Sequence, residues 1–434
     1  MNADKLIAFR QTAYQCLGRA HDAMFELGDA VLSSPRVNSF AELSCSPFFR
    51  RQWSSLYEAL QDSRPQRRKL MRLYIEQMEQ AERPVLAGDH TIWARPYAAT
   101  LQERTYEHQA SQLGNRPVGV GQGWSTLAWI PQTGGSWALP LRHERISSFE
   151  SPISKATWQL QQVCSVLPTR AISLWDSEYG CARFVLATAQ IACDKVMRLR
   201  SNRCLWSAPP AYGGRGRPRV HGDKFKLNDA TTWHSPNQQV EVDDPKQGRL
   251  RLRSWQQMHF RSAATHPMQL ILVERLDAQG NCRTGKPVWL VWVGETMPPL
   301  NQIWQLYCRR FGVDHWFRFA KQRLHWTLPN LSTAKQAERW SDLMPLLSWQ
   351  LWLAHDLVGD RPLPWQKPQT HLTPGRVAQS MTALFTQLGT PAQVPKPRGK
   401  SPGWTEGQSR TPRIRAPIVK KRHSKRKKQA QTST

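Results

Sequence analysis

Between Arg83 and Val196 short apolar runs alternate with helix-patterned ones, and this alternation restricts the fold more than any other feature of the chain. VLAGDHTIWARP reads as a strand ending near Asp89. STLAWIPQ and SWALPLRHE, separated by QTGG, read as a hairpin. SPISKATWQLQQVCSVL has helical spacing, TRAISLWDSEYG is a strand ending at Asp176, and CARFVLATAQIACDKV reads as a further helix. Strand, hairpin, helix, strand, helix is the order of an α/β sheet. Acids at strand ends stand at the edge of such a sheet, where Asp89 and Asp176 are expected.

The flanks have a different texture. Residues 1–80 are read as a helical N-terminal domain: Leu6, Phe9, Ala13, Cys16 and Leu17 recur at helical spacing, and further helices are expected over Phe48–Leu60 and Gln66–Met78. The last of these is basic, in RPQRRKLMRLY, which suits a solvated face or a DNA contact equally. Residues 81–197 form the first part of the α/β core. From 198 to 300 the pattern is β-like and punctuated by Gly and Pro. This stretch starts with the basic, flexible YGGRGRPRVHGDKFKL and includes the strands HPMQLILVERL and KPVWLVWVGE, and it is read as an inserted β subdomain. Residues 301–388 return to helices and complete the core. Residues 389–434 carry thirteen Lys and Arg against the single acid Glu406 and are expected to be a disordered basic tail.

The 434 residues hold 60 Lys and Arg against 32 Asp and Glu, a net charge of +28. A polyanion is the expected partner, with nucleic acid ahead of an anionic membrane surface, and Lys420, Lys421 and Arg422 are candidate phosphate contacts. No run of 18 apolar residues occurs, and the N-terminus has no signal-type stretch, so a soluble, intracellular protein is expected. Eight cysteines without a CxxC pair read as reduced thiols, and Cys193, Cys204 and His221 lack the spacing of a zinc site. Most of the twenty tryptophans are expected in the core, and any on the surface would suit stacking on unpaired bases.

A third acid lies in YCRRFGVDHWFRFAKQ, read as one helix. At about 100° per residue, Tyr307, Arg310, Asp314 and Lys321 fall within a stripe about 60° wide. A carboxylate among two cations and a phenol suits a metal ion and a phosphate better than an apolar core. Phosphoryl chemistry uses carboxylates to hold a pair of hard divalent cations. Arg310 and Lys321 suit phosphate oxygens, Arg bidentately. Each acid has an alternative local role, Asp89 and Asp176 as turn or cap residues and Asp314 as a surface partner of Arg310 or Arg318.

That stripe resembles the third motif of bacterial insertion-sequence transposases of the DDE class, in the branch whose signature is Tyr, two residues, Arg, three residues, Glu, six residues, Lys. Tyr307, Arg310 and Lys321 match in type and spacing, and Asp314 stands in the Glu position. VLAGDHT resembles the strand of the first catalytic acid, and SLWDSEYG, with Asp176, Tyr179 and Gly180, resembles the second. The resemblance spans about Arg83 to Trp326. It implies a ribonuclease H-like core, a mixed sheet flanked by helices, with the β subdomain inserted between the second and third acids. It implies that Asp89, Asp176 and Asp314 are catalytic and hold two Mg²⁺ ions, with Mn²⁺ as a substitute. Tyr307, Arg310 and Lys321 would contact element-end DNA. The implied activity is cleavage at the ends of a mobile element and strand transfer into target DNA. Double-stranded DNA would be the partner, with self-association on DNA, no membrane, and a cytoplasmic, nucleoid-associated location. Stacking on a flipped base occurs in relatives, but neither Trp289 nor Trp292 is assigned that role.

Asp in place of Glu shortens the side chain by one methylene. Two alternatives to a transposase follow, a catalytically degenerate DNA-binding relative and a purely hydrolytic nuclease of the same fold.

Overall fold

The computed structural model describes residues 3–108, 118–131, 136–283, 287–397, 403, 405–409 and 412–421. Four helices come first: α1 (Asp4–Cys16), α2 (His21–Ser33), α3 (Ser54–Asp62) and α4 (Arg67–Glu76). Four strands follow, β1 (Val85–Ala94), β2 (Thr105–His108), β3 (Val118–Trp129) and β4 (Leu139–Ile146). Helix α5 (Pro152–Cys164) leads to β5 (Ala171–Trp175), and α6 (Ala182–Ala187) leads to β6 (Cys193–Leu199). The short β7 (Cys204–Trp206) and β8 (Lys224–Lys226) pair with each other. Strands β9 (Gln238–Asp244), β10 (Gly248–Met258), β11 (Met268–Arg275) and β12 (Val288–Val293) precede α7 (Leu300–Cys308), α8 (Phe311–Gln322), α9 (Ala334–Ala354) and α10 (Pro374–Leu388).

One sheet runs β2-β3-β1-β5-β6-β12-β11-β10-β9, with β4 also paired to β3. Within it β4, β3 and β1 are antiparallel, while β1, β5 and β6 are parallel. This mixed sheet flanked by helices is consistent with a ribonuclease H-like fold. All five residues of β5 are buried, as expected for a parallel strand covered on both faces. In β10 burial alternates instead. Arg249, Arg251 and Arg253 point outward and pair with Glu241 and Glu274 on the neighbouring strands.

Several elements depart from the sequence reading. The expected helix CARFVLATAQIACDKV ends at Ala187, and its last four residues open β6. Between β5 and β12 the residues Cys193–Met197 are all buried, and two strand partners outweigh local helical spacing. The region read as an inserted subdomain continues the main sheet, because β12 pairs with β6. Trp289 and Trp292 on β12 are buried in that sheet, each 1 % exposed. The N-terminal helices share one core with α9 and α10. Buried Arg10 of α1 donates to Asp29 of α2 at 2.8 Å and to Gln350 of α9 at 2.5 Å. In α4, Leu70, Met71, Leu73 and Tyr74 are buried and Arg67 pairs with Asp342, leaving Arg68, Lys69 and Arg72 on the solvent side.

A tail disordered throughout is corrected by two segments. The Gln393 amide donates to Asp22 at 2.8 Å, and Arg50 reaches the Ala392 carbonyl at 2.8 Å. Further on, the Ala416 amide donates to the Ala99 carbonyl at 2.9 Å and Val419 to the Arg104 carbonyl at 2.7 Å, laying the chain parallel to β2. An unpaired sheet edge offers such backbone partners whatever the composition of the chain that takes them.

Candidate functional site

The site is assembled by the register of the parallel strands. Gly88 pairs with Trp175, the last residue of β5, so Asp89 and Asp176 follow that pair on neighbouring strands. Asp176 leaves the end of β5, whereas β1 runs on to Ala94 and does not end at Asp89, because β3 pairs with it that far. The carboxyl ends of strands in such sheets are where ligands bind. Gly88 is required there: a Cβ would lie 2.1 Å from the Trp175 ring. Gly180 is similarly confined, with a Cβ position 2.1 Å from the Arg198 carbonyl. Gly88→Ala should therefore destabilise the fold by about 1–3 kcal/mol through overpacking. Thermal unfolding tests this, and an unchanged Tm would show that the Trp175 ring yields.

The helix expected across YCRRFGVDHWFRFAKQ is two helices, α7 and α8, joined at Arg309 and Arg310. Tighter bonds cause the break: Arg310 N–H donates to the Tyr307 carbonyl and Gly312 N–H to that of Arg309, each at 3.0 Å. Arg310 and Lys321 reach β1, and Asp314 is joined to Arg310. The Arg310 guanidinium lies between two acids, its Nη1 3.3 Å from Asp89 Oδ2 and its Nη2 3.2 Å from Asp314 Oδ2. Lys321 Nζ donates to Thr91 Oγ1 at 2.7 Å, on the same face of β1 as Asp89. Tyr307 is buried next to Arg310, the guanidinium carbon 5.9 Å from its ring centre.

Electrostatics bind the group together. Burial, then the charge of Asp176, pushes the Asp89 carboxyl up to about 8, with Asp314 adding to the effect and Arg310 opposing it. Burial alone would lower Arg310, but Tyr307, Asp314, Asp89 and Asp176 hold it above its ordinary value. Burial raises the Tyr307 phenol and lowers the Lys321 ammonium. Asp176 also serves its own turn, as its local pattern allowed, its Oδ1 accepting from the Glu178 amide at 2.9 Å, whereas Asp89 lies within β1, its Oδ1 accepting from the His90 amide at 2.7 Å.

The Tyr307 hydroxyl, beside the Arg310 guanidinium, and Arg310 Nε are buried without a well-aligned hydrogen-bond partner. These two atoms border the acids. The carboxylates suit a hard divalent cation by the chemistry of their oxygens, and the two donors suit phosphate oxygens. Among the described residues no three His, Cys, Asp or Glu form a ready-made metal cluster. The guanidinium stands between Asp89 and Asp314 instead.

Sequence reasoning overlooked His90, whose Nδ1 lies 3.1 Å from the buried Tyr179 hydroxyl, and Thr91, which holds Lys321. Both adjoin Asp89, and neighbourhood in sequence was their only signal. Lys421 pairs with Glu107 at 2.5 Å, which removes it from the free phosphate contacts; Lys420 is exposed, and Arg422 lies outside the described residues. Cys193 is buried with its thiol 3.3 Å from Ser173, while His221 faces His259.

No helix among the described residues is long and apolar enough to cross a membrane. A comparison with curated proteins found no match. The family of DDE superfamily endonucleases matches residues 12–262, which include Asp89 and Asp176 and stop before Asp314. That match covers more than half of the chain, and the protein belongs to the DDE superfamily endonucleases.

Proposed function

We propose that the protein is a transposase that cuts DNA at the ends of a mobile element and joins the freed 3′ ends to target DNA. The observation that carries this reading is that Arg310 joins Asp89 to Asp314 while Asp176, at the carboxyl end of the neighbouring parallel strand, acts on Asp89 through its charge. Asp89, Asp176 and Asp314 would hold two Mg²⁺ ions, or Mn²⁺ in their place. Bound there, such ions activate the attacking oxygen and stabilise the leaving oxygen.

The chain's own groups supply position and charge. Arg310 presents a planar fork that moves from the carboxylates to a scissile phosphate, and the Tyr307 hydroxyl donates to an oxygen of the same group. Lys321, steadied by Thr91, meets the next phosphate along the strand. Two element ends call for two copies, so the working form is a dimer on DNA, at the nucleoid.

One observation favours a second reading, a DNA-binding relative without catalysis: the guanidinium bridging Asp89 and Asp314. A duplex with a pre-cut, labelled 3′ end, incubated with target plasmid and Mg²⁺, separates the possibilities. Joined product supports the transposase. Hydrolysis of intact ends without joining indicates a purely hydrolytic nuclease, and binding with neither product indicates the degenerate relative.

The basic end of the chain is proposed to bind further phosphates. Removing residues 422–434 should make log K against log salt shallower by about 0.9 for each phosphate that the truncated chain leaves unneutralised. An unchanged slope would exclude this segment from binding.

A further inference from the structure

Between β7 and β8 the chain leaves the sheet as an arm. Residues 208–220 are all exposed, and the tip reads Gly-Gly-Arg-Gly-Arg-Pro-Arg, from Gly213 to Arg219. Arg215, Arg217 and Arg219 alternate with Gly216 and Pro218, and no acid occurs from Ser207 to Gly222. Among the described residues none of the three arginines makes an ion pair. A Cβ built on Gly213, Gly214 or Gly216 would meet nothing within 4 Å. Gly214 and Gly216 have φ of +81° and +78°, and the Tyr212 hydroxyl closes the turn on the Gly216 carbonyl at 2.8 Å.

The base of the arm is firm. Trp206 and His259 exchange backbone hydrogen bonds of 2.9 Å, and His221 Nδ1 lies 2.9 Å from His259 Nε2. Gly222 packs so closely that a Cβ would lie 2.1 Å from the Ala208 carbonyl. Beside the base is a cavity of about 410 Å³ lined by Arg183, Asn202, Arg203 and Arg261, and the buried Arg203 Nε has no partner. The arm follows β6, whose carboxyl end lies beside that of β5, where Asp176 stands; Arg200, just past β6, is 4.0 Å from Glu178.

We propose that Arg215, Arg217 and Arg219 enter the minor groove of A·T-rich duplex DNA beside the cleavage site, while Arg183, Arg203 and Arg261 hold the bordering phosphates. The groove is about 6 Å wide and narrows further in A-tracts, where its negative potential draws arginine in. A strand with Gly216 and Pro218 between its arginines has little side-chain bulk to exclude it. G·C pairs place an amino group on the groove floor that obstructs the guanidinium. The choice of DNA as partner rests on the nuclease reading, but the groove contact has its own test.

Binding of the full chain is measured, without divalent cation, to duplexes of one length built from A·T, G·C or inosine·cytosine pairs. Inosine·cytosine keeps the major-groove pattern of G·C but lacks the minor-groove amino group. Wild type should bind A·T and inosine·cytosine duplexes alike, and about tenfold more tightly than G·C, a difference of about 1.4 kcal/mol. The triple variant R215A/R217A/R219A should lose that preference and bind all three duplexes alike. Inosine·cytosine binding like G·C, equal affinity for all three duplexes, equal affinity for an RNA duplex, or a preference that survives in the triple variant would each overturn the arm. Those outcomes leave the nuclease reading intact if the wild type still cleaves; absence of cleavage alongside the predicted preferences would overturn that reading and leave the arm standing.

Discussion

Asp89→Asn is expected to abolish DNA cleavage and, in the absence of divalent cations, to make the folded protein more stable at alkaline pH. The loss of cleavage should be roughly a thousandfold or more, about 4 kcal/mol of barrier, because Asn cannot take the metal-holding role proposed for the Asp89 carboxylate. The gain in stability follows from the raised carboxyl. Its pKa of about 8 in the folded protein stands above the ordinary 3.8, so the folded state keeps a proton that the unfolded chain loses. Stability from this group is fully present below about 4 and is lost as pH rises through about 8. Asn carries no charge to expose, so the wild type should lose Tm across that window and the variant should lose less. Mg²⁺ or Mn²⁺ should narrow the gap by stabilising the wild type alone. Parallel pH profiles of Tm for the two proteins would contradict the electrostatic account, whatever happens to cleavage.

Arg310→Ala should act in the opposite sense on stability. Arg310 is 7 % exposed and bridges Asp89, whose side chain is 13 % exposed, to the more open Asp314, so its removal leaves the Asp89 carboxyl without its buried cation. Breaking a buried ion pair from one side costs about 3–5 kcal/mol. For a chain of this size that is a fall in Tm of roughly 3–5 °C. Divalent cations should restore more of it than they add to the wild type, since they replace the missing positive charge. Cleavage should fall about a hundredfold to a thousandfold if Arg310 stabilises charge on the scissile phosphate. Cleavage equal to or above wild type would make Arg310 an obstruction between the acids rather than a clamp on phosphate.

Much of this site was legible in sequence because its parts are local. The apolar run ending on Asp176 announces a strand with an acid at its end, though the run read as ending on Asp89 continues to Ala94. The spacing of Arg310, Asp314 and Lys321 brings Arg310 and Lys321 to β1 despite the break at Arg309. What escaped the sequence depends on distant partners. Cys193–Leu199 has helical spacing and becomes a strand only because β5 and β12 accept it on either side. Trp289 and Trp292, in a region that reads as a separate subdomain, are buried once β12 joins β6. Val419 belongs to a basic, low-complexity stretch and is held by the Arg104 carbonyl, a partner more than three hundred residues earlier. The bridging position of Arg310 was equally hidden, since spacing places a cation near an acid but does not say which acids it joins.

The central claim is that Asp89, Asp176 and Asp314 act as one cation-dependent site on DNA, and Asp314 is the member outside the family match. The most direct measurement is cleavage of labelled duplexes taken from the DNA on either side of the gene, in Mg²⁺ or Mn²⁺, with DNA binding followed in the same samples. Wild type is predicted to bind and cut, and Asp89→Ala, Asp176→Ala and Asp314→Ala to bind and not cut. Binding without cleavage by the wild type, or full cleavage by Asp314→Ala, would contradict it.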